Sequence, residues 1–377
     1  MELGPNRSLI GKAAGVVERD LATPALTLDL DAFEANLAAM AGLVARAGRR
    51  LRPHAKAHKS TIIGRKQLDA GAIGLCCATV REAEAMADAG LDGILVTTPV
   101  ITPPMVARLV HAAGKVEDFA VVVDSMTGVE MFAAQARAGK PVGVLIDIDM
   151  GLGRDGIVDP RDAVQLARRI AELPQLRYRG VQAYYGHLQH VKAIADRHQK
   201  VAEQWARLAT FVEALSQAGL APGIVSGGGT GTHHLDLAHG PFTEIQAGSY
   251  LFMDKQYGEV EIVPGGSPFR TSLTVTGRIV STAQPDRVIV DSGTKSLSTD
   301  YGPPLVADGA PAGATYQFMG DEHGAVRFAA GTNRPPLGGL ISFVAPHCDP
   351  TINLHDRFHV MQGGRLVDIW PIEARGY

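Results

Sequence analysis

Cysteine is scarce in this sequence. Cys76, Cys77 and Cys348 are the only three in 377 residues. An odd count with two adjacent members gives no disulfide framework and points to a reduced, cytoplasmic compartment. Long apolar runs are missing too. The stretches at 120–123 and 142–146 each end at an aspartate, far short of the roughly 20 residues that a spanning helix needs. The opening MELGPNRSLIGKAAGVVERDLATP lacks the apolar centre of a secretory leader. Charge of one sign is lacking as well: 36 basic and 39 acidic residues leave a net −3. That argues against a nucleic-acid partner, which calls for a basic excess, and against attraction to an anionic membrane.

What is present is an ordinary globular composition, 46% hydrophobic and 20% charged. From Pro24 to about Asp254 short apolar runs alternate with longer helical patterns. ALTLDL reads as a first strand, RLRPHAK as a second and GLCCA as a third. GILVTT, FAVVVDS, VGVLIDIDM, YRGVQAYYG, GIVSGGG and IQAGSYLFMD follow. Segments near 103–114, 126–139, 159–173 and 191–219 carry helical periodicity. Asp31 with Glu34, and Thr79 with Glu82, have the spacing of capping boxes, and Gly90 that of a C-cap. Strands that are continuously apolar belong in a buried parallel sheet. The pattern predicts an α/β chain whose residues 22–256 form a (β/α)8 TIM-type barrel, with a doubly wound open sheet as the competing arrangement. VPGGSP reads as a linker. SLTVTGRIV, RVIVDSG, LISFVAP and FHVMQGGRLVDIW, the last with a Gly363-Gly364 hairpin signal, predict a mostly β domain over 257–377. Residues 1–21 are expected to pack with it.

Barrel active sites lie at the C-terminal ends of the strands. Past the second strand, PHAKAHKS brings together His54, Lys56, His58 and Lys59. A lysine there can form a Schiff base with a carbonyl or with pyridoxal phosphate, and spacing alone does not separate Lys56 from Lys59. SGGGTGT (226–232) and QAGSY (246–250) end two later strands. Their glycines and hydroxyls suit an anion, and the last two strands of a barrel are where phosphate is often held. YYGHLQH ends another strand and supplies His190, a residue type suited to general acid–base work near neutral pH. In HCDPTINLHD an extended backbone would point His347 and Asp349 to one side and Cys348 to the other. A His–carboxylate pair suits Mn²⁺ or Mg²⁺, whereas a cysteine in its place would suit Zn²⁺. Asp321 and Glu322 in GDEHG are candidate outer carboxylates.

Taken together, TPALTLDLDAFEANL, LRPHAKAHKS, the CC–EAE segment, GGGTGT, QAGSY and HCDPTINLHD resemble the D-threonine aldolases. These are fold-type III pyridoxal-phosphate enzymes of the alanine-racemase-like group, in a branch shared with D-serine and D-threo-3-hydroxyaspartate dehydratases. The resemblance runs from about Thr23 to the end of the chain. It implies pyridoxal 5′-phosphate on Lys59. It places Tyr184 near the pyridine nitrogen and Arg154 beside the cofactor. Ser226, Gly228, Gly229, Thr230, Gly248, Ser249 and Tyr250 would lie around the phosphate. It implies His190 as general base, a divalent ion (Mn²⁺ or Mg²⁺) on His347 and Asp349, and Asp321 reaching that ion through water. Relatives often carry Gln where this chain has Ala78, so a ring contact is either absent or supplied by Thr79.

The activity implied is retro-aldol cleavage of D-3-hydroxy amino acids, such as D-threonine, to glycine and an aldehyde, by a homodimer. The dehydratases of the branch carry HxC where this chain has His347 and Asp349, which favours the aldolase over a metal-dependent D-serine or 3-hydroxyaspartate dehydratase. A racemase, a non-catalytic cofactor-binding protein and a cofactor-free metal hydrolase are weaker readings. None of the three explains both the lysine motif and the late His–Asp pair.

Overall fold

The computed structural model describes residues 15–136 and 140–376. The strands are β1 (Ala25–Asp29), β2 (Arg50–Leu51), β3 (Leu75–Cys77), β4 (Ile94–Val96), β5 (Phe119–Val123), β6 (Val142–Asp149), β7 (Leu176–Tyr184), β8 (Ile224–Gly227) and β9 (Glu244–Ile245). Between them run α1 (Leu30–Arg46), α2 (Thr61–Asp69), α3 (Val80–Asp88), α4 (Pro103–Ala113), α5 (Met126–Gln135), α6 (Pro160–Glu172), α7 (Ile194–Gln217) and α8 (His233–His239). Eight parallel strands hydrogen-bond in the order β2-β9-β8-β7-β6-β5-β4-β3. A parallel bridge from His54 to Cys76 joins the two ends and closes the barrel.

The strands form because their side chains have nowhere polar to go. Val121 and Val123 of β5, and Val144 and Ile146 of β6, are essentially inaccessible to solvent. Each such burial is worth about 1.5–3 kcal/mol. The helices cover the outside with one apolar face. In α6, Ala163, Leu166, Ala167 and Ile170 are buried at helical spacing. The Asp159 side chain caps its start, accepting from the Arg161 amide at 2.8 Å, and Pro160 occupies the first turn.

The second sheet contains β10 (Leu273–Ser281), β11 (Arg287–Val290), β12 (Leu305–Asp308), β13 (Thr315–Phe318), β14 (Gly324–Arg327), β15 (Leu340–Val344), β16 (Arg357–Gln362) and β17 (Arg365–Pro371). The short helices α9 (Lys255–Gly258) and α10 (Cys348–Ile352) flank it. The glycine pair between β16 and β17 turns with φ of +56° and +73°, the hairpin that the sequence suggested. The segments β12, β13 and β14 carry no strong apolar signal and were not expected.

One strand changes sheet. ALTLDL, expected to open the barrel, is β1, and it lies in the second sheet. It pairs antiparallel with β10, Ala25 opposite Thr276, and parallel with β16, Thr27 opposite His359. Residues 15–17 also join this sheet, the Val16 carbonyl accepting from the Leu366 amide at 2.8 Å. The expected division at 22 therefore falls too early, and α1 is the connection into the barrel. The reason is burial: Ala25, Leu26, Thr27 and Leu28 are all enclosed, so β1 is as continuously apolar as a barrel strand. The cap of α1 also moves, from Asp31 to Asp29, whose side chain accepts from the Ala32 amide at 2.9 Å. Of the part expected over 1–21, residues 1–14 lie outside the described residues.

Candidate active site

A cavity of about 190 Å³ opens at the C-terminal ends of the barrel strands. After β2 the chain makes a 3₁₀ turn at Ala55–Ala57. His54 Nδ1 accepts from the Lys56 amide at 3.4 Å. His54 Nε2 therefore carries the proton and faces Thr97 Oγ1 at 3.1 Å. Lys56 lines the cavity and its Nζ lies 3.1 Å from Asp349 Oδ2. Its pKa is raised above the usual lysine range, chiefly by Asp349.

Lys59 is elsewhere. Its backbone adopts φ +53°, which turns the side chain to the far side of the loop. There its Nζ donates to Asn353 Oδ1 at 2.9 Å and to the Gly376 carbonyl at 3.4 Å, and pairs with Glu82 at 3.5 Å. The cavity lining includes Lys56 and not Lys59. The structure thus brings Lys56 to the cavity in place of Lys59, the lysine expected there. His58 also turns inward, its Nε2 3.1 Å from Gln67 Oε1, and burial pulls its pKa down to about 4.

The loops after β8 and β9, the last two strands of the barrel, bring Gly229, Thr230, Gly248 and Ser249 to the cavity. Both glycines are required by close packing. A Cβ on Gly248 would stand 2.8 Å from the His54 carbonyl oxygen, and one on Gly229 would stand 2.5 Å from Gln189 Oε1. Thr230 Oγ1 accepts from the Tyr250 amide at 3.1 Å, which leaves its own proton to donate. Three expected members of this group stand back from the cavity. Ser226 is buried, donating to Glu244 at 2.8 Å in a network that continues to Arg52. Gly228 backs onto the buried Asp236, and the Tyr250 ring packs inside, its hydroxyl accepting from Gln67 at 3.3 Å.

Tyr184, Arg154 and His190 all line the cavity. Arg154 leans on Asp155 at 3.0 Å. His190 packs against Tyr257 at a tilt of 46°, ring centroids 4.5 Å apart. Its Nε2 is buried with no hydrogen-bond partner among the described residues. Burial, with a smaller push from His347, lowers its pKa to about 4, so the imidazole is neutral at pH 7. The other tyrosine and the other histidine of YYGHLQH are not at the site. Tyr185 is enclosed and donates to Asp236, and His187 lies outside the lining.

His347 and Asp349 both face the cavity, and Cys348 is fully buried. Only His347 is extended, at the N-cap position of α10; the helix starts at Cys348 and Asp349 lies in its first turn. Burial pushes the Asp349 pKa up, but Lys56 and then His347 outweigh it and hold the carboxyl below the usual range. Asp300, which the sequence did not single out, lies 2.6 Å from His347 Nδ1. A carboxylate on Nδ1 leaves Nε2 as the free donor atom for a cation. Asp321 and Glu322 are not at the site; both are exposed and pair with Lys295. Among the described residues no three or more His, Cys, Asp or Glu side chains are placed together to hold a metal ion. A metal here would rest on two protein ligands, with water or substrate completing its shell.

Ala78 lines the cavity as expected, but Thr79 does not. Its hydroxyl accepts from the Glu82 amide at 3.2 Å and caps α3. Thr97, Thr98, Gln182, Gln246 and Tyr257 complete the wall and were not anticipated. Gln182 had a signal: it is two positions before Tyr184 on β7, hence on the same face. The residues present fit pyridoxal phosphate, with an amine, a glycine- and hydroxyl-lined loop pair and an unpartnered buried imidazole around one cavity.

A parallel barrel joined to a β domain, with a lysine past its first strand and glycine loops on its last two, defines the alanine-racemase-like class. The family model for the alanine racemase N-terminal domain matches residues 28–256, and that for a putative serine dehydratase domain matches 272–361. The chain is 42% identical over 357 residues to a D-threonine aldolase from an Arthrobacter species, covering 94% of this chain and 93% of that one. A 3-hydroxy-D-aspartate aldolase of Paracoccus denitrificans is 35% identical, with 96% and 94% covered. The crystal structure of D-threonine aldolase from Filomicrobium marinum aligns with a TM-score of 0.91 at 35% identity, covering 100% of this chain and 99% of that one. The chain belongs to the D-threonine aldolase and D-serine dehydratase branch of the alanine-racemase-like enzymes.

Proposed function

We propose that this chain is a carbon–carbon lyase that cleaves D-threonine and related D-3-hydroxy amino acids to glycine and an aldehyde. The observation that carries this reading is the convergence of Lys56 and the His347–Asp349 pair in one cavity, with Lys56 Nζ 3.1 Å from Asp349, beside a neutral His190. Lys56 is the amine for pyridoxal phosphate. Gly229, Thr230, Gly248 and Ser249 hold its phosphate, and Tyr184 and Arg154 flank its ring. When bound, the cofactor supplies an electron sink for the bond that breaks. His347 and Asp349 hold a divalent ion, Mn²⁺ or Mg²⁺, whose chemistry is to acidify a nearby hydroxyl. His190 takes the proton of the substrate β-hydroxyl on Nε2, the atom that the fold leaves without a partner.

A dehydratase on the same scaffold is the second reading, raised by the match to the serine dehydratase domain. Asp349, a hard oxygen ligand where the dehydratase pattern has sulfur, favours the aldolase. We further propose a cytoplasmic homodimer with no nucleic-acid or membrane partner. The exposed Ile101, Met105, Met126 and Val158, on segments that follow β4, β5 and β6, support a covered barrel face. Among the described residues no helix is long and apolar enough to cross a membrane. Product analysis tests the reaction. Purified protein with pyridoxal phosphate and Mn²⁺ should give glycine and acetaldehyde from D-threonine and neither from L-threonine, and EDTA should stop it. Ammonia with 2-oxobutanoate would overturn the aldolase in favour of the dehydratase.

A further inference from the structure

Among the described residues only Lys59 and Met253 are non-glycines with positive φ, both at +53°. That conformation strains an L residue and persists only where the surroundings hold it. Lys59 and the residue next to Met253 meet the same element. Lys59 Nζ donates to Asn353 Oδ1, and Asn353 is the residue that ends α10. Asp254 follows Met253, and its buried carboxylate accepts from the Cys348 amide at 2.9 Å, at the start of α10. The same carboxylate accepts from the Tyr257 amide at 2.8 Å, which ties it to the ring that packs against His190.

Lys59 is itself fixed from the barrel side. Glu82 pairs with its Nζ at 3.5 Å and also accepts from the amide of Ala78, on the cavity wall, at 2.7 Å. Glu82 is almost fully enclosed, and the Lys59 side chain is 9% exposed. Asn353 Oδ1 receives a second bond from the Gly376 amide at 3.2 Å. So α10, one short helix with His347 and Asp349 at its front, is gripped at both ends by strained loops of the barrel.

The geometry points to Lys59 as a positioning residue, which with Asp254 clamps α10 and sets where Asp349 and His347 stand relative to Lys56. Lys59 touches neither the cavity nor the reacting atoms and acts through Asn353. The inference rests on the proposed reading of His347 and Asp349 as metal ligands. Groups that orient ligands from behind typically govern metal affinity by about 10–100-fold.

The test uses the cofactor-loaded, metal-stripped protein as wild type, Lys59→Gln, Lys59→Arg and Asn353→Ala. Mn²⁺ is titrated into each and followed by electron paramagnetic resonance, and hydrogen exchange is read over residues 347–353. In Lys59→Gln and Asn353→Ala, Mn²⁺ should bind about tenfold more weakly, with faster exchange in α10 and the cofactor still attached. Lys59→Arg should recover most of the affinity. Asn353→Ala cuts the same link without removing the cation paired with Glu82, so a folding failure of Lys59→Gln leaves the test standing. Unchanged exchange over α10 in Asn353→Ala would overturn the clamp. A wild-type chain that binds no Mn²⁺ would instead sink the metal reading, and the exchange data would still decide the clamp.

Discussion

The two lysines of PHAKAHKS stand three positions apart and serve two different regions. Lys56 is 42% exposed in its side chain and looks into an open cavity, where its charged neighbour at bonding distance among the described residues is Asp349. Lys59 is 9% exposed and looks into a closed junction of barrel, α10 and β domain, where a buried carboxylate, an amide oxygen and a backbone carbonyl surround it. An amine that must react needs access and a partner it can leave. An amine that must hold two domains in register needs the opposite, full enclosure with every donor used. The same side chain does either, and the backbone turn between them decides which.

That contrast is breakable at graded cost. Lys56→Ala should remove cofactor attachment and turnover together, a loss of many orders of magnitude, seen in the absorbance of the purified protein and in initial rates. His190→Gln should follow, lowering kcat by roughly 10²–10⁴ with the cofactor still bound, the usual worth of a positioned base. Lys59→Gln should keep the absorbance and lose only part of the rate. Gly248→Ala comes next. Its Cβ would press on the His54 carbonyl, so weaker cofactor binding is expected in equilibrium dialysis, with a smaller change in kcat at saturation. Ser226→Ala should change cofactor affinity least, because Ser226 serves the Arg52–Glu244 network beneath the cavity. Its effect should appear as about 1–3 kcal/mol of stability in denaturant unfolding.

The pH profile sharpens the same contrast. His190 must be neutral to accept a proton, and burial lowers its pKa to about 4. The imidazole is therefore neutral through the whole range above that value. The limb that it imposes on kcat/KM should lie near pH 4, with no loss at the ordinary histidine pKa of about 6.5. A limb near 6.5 would place another histidine in the role.

Most of the barrel was readable because its strands are enclosed on both faces, and enclosure leaves a plain record of consecutive valines, leucines and isoleucines. The same rule misplaced β1. Its partners lie some 250 positions onward, Ala25 opposite Thr276, and local pattern carries no information about pairing at that distance. At the site, the glycine loops and the His347–Asp349 pair were legible, since small residues and ligand types at strand ends have few other uses. The choice between Lys56 and Lys59 was not. It depends on one φ angle, +53° at Lys59, in a residue type that gives no hint of the left-handed region. Asp300 was hidden for a related reason: it reaches His347 from another loop, and only the fold brings them to 2.6 Å.

The most direct measurement is the identity of the lysine that carries the cofactor. Reduction of the holoenzyme with borohydride, followed by proteolysis and mass spectrometry, fixes the label on one side chain. The structure predicts pyridoxyl-modified Lys56 with Lys59 unmodified. Modification at Lys59 would contradict the account, since it would require the junction with Glu82 and Asn353 to open and the cavity to be served from its other side.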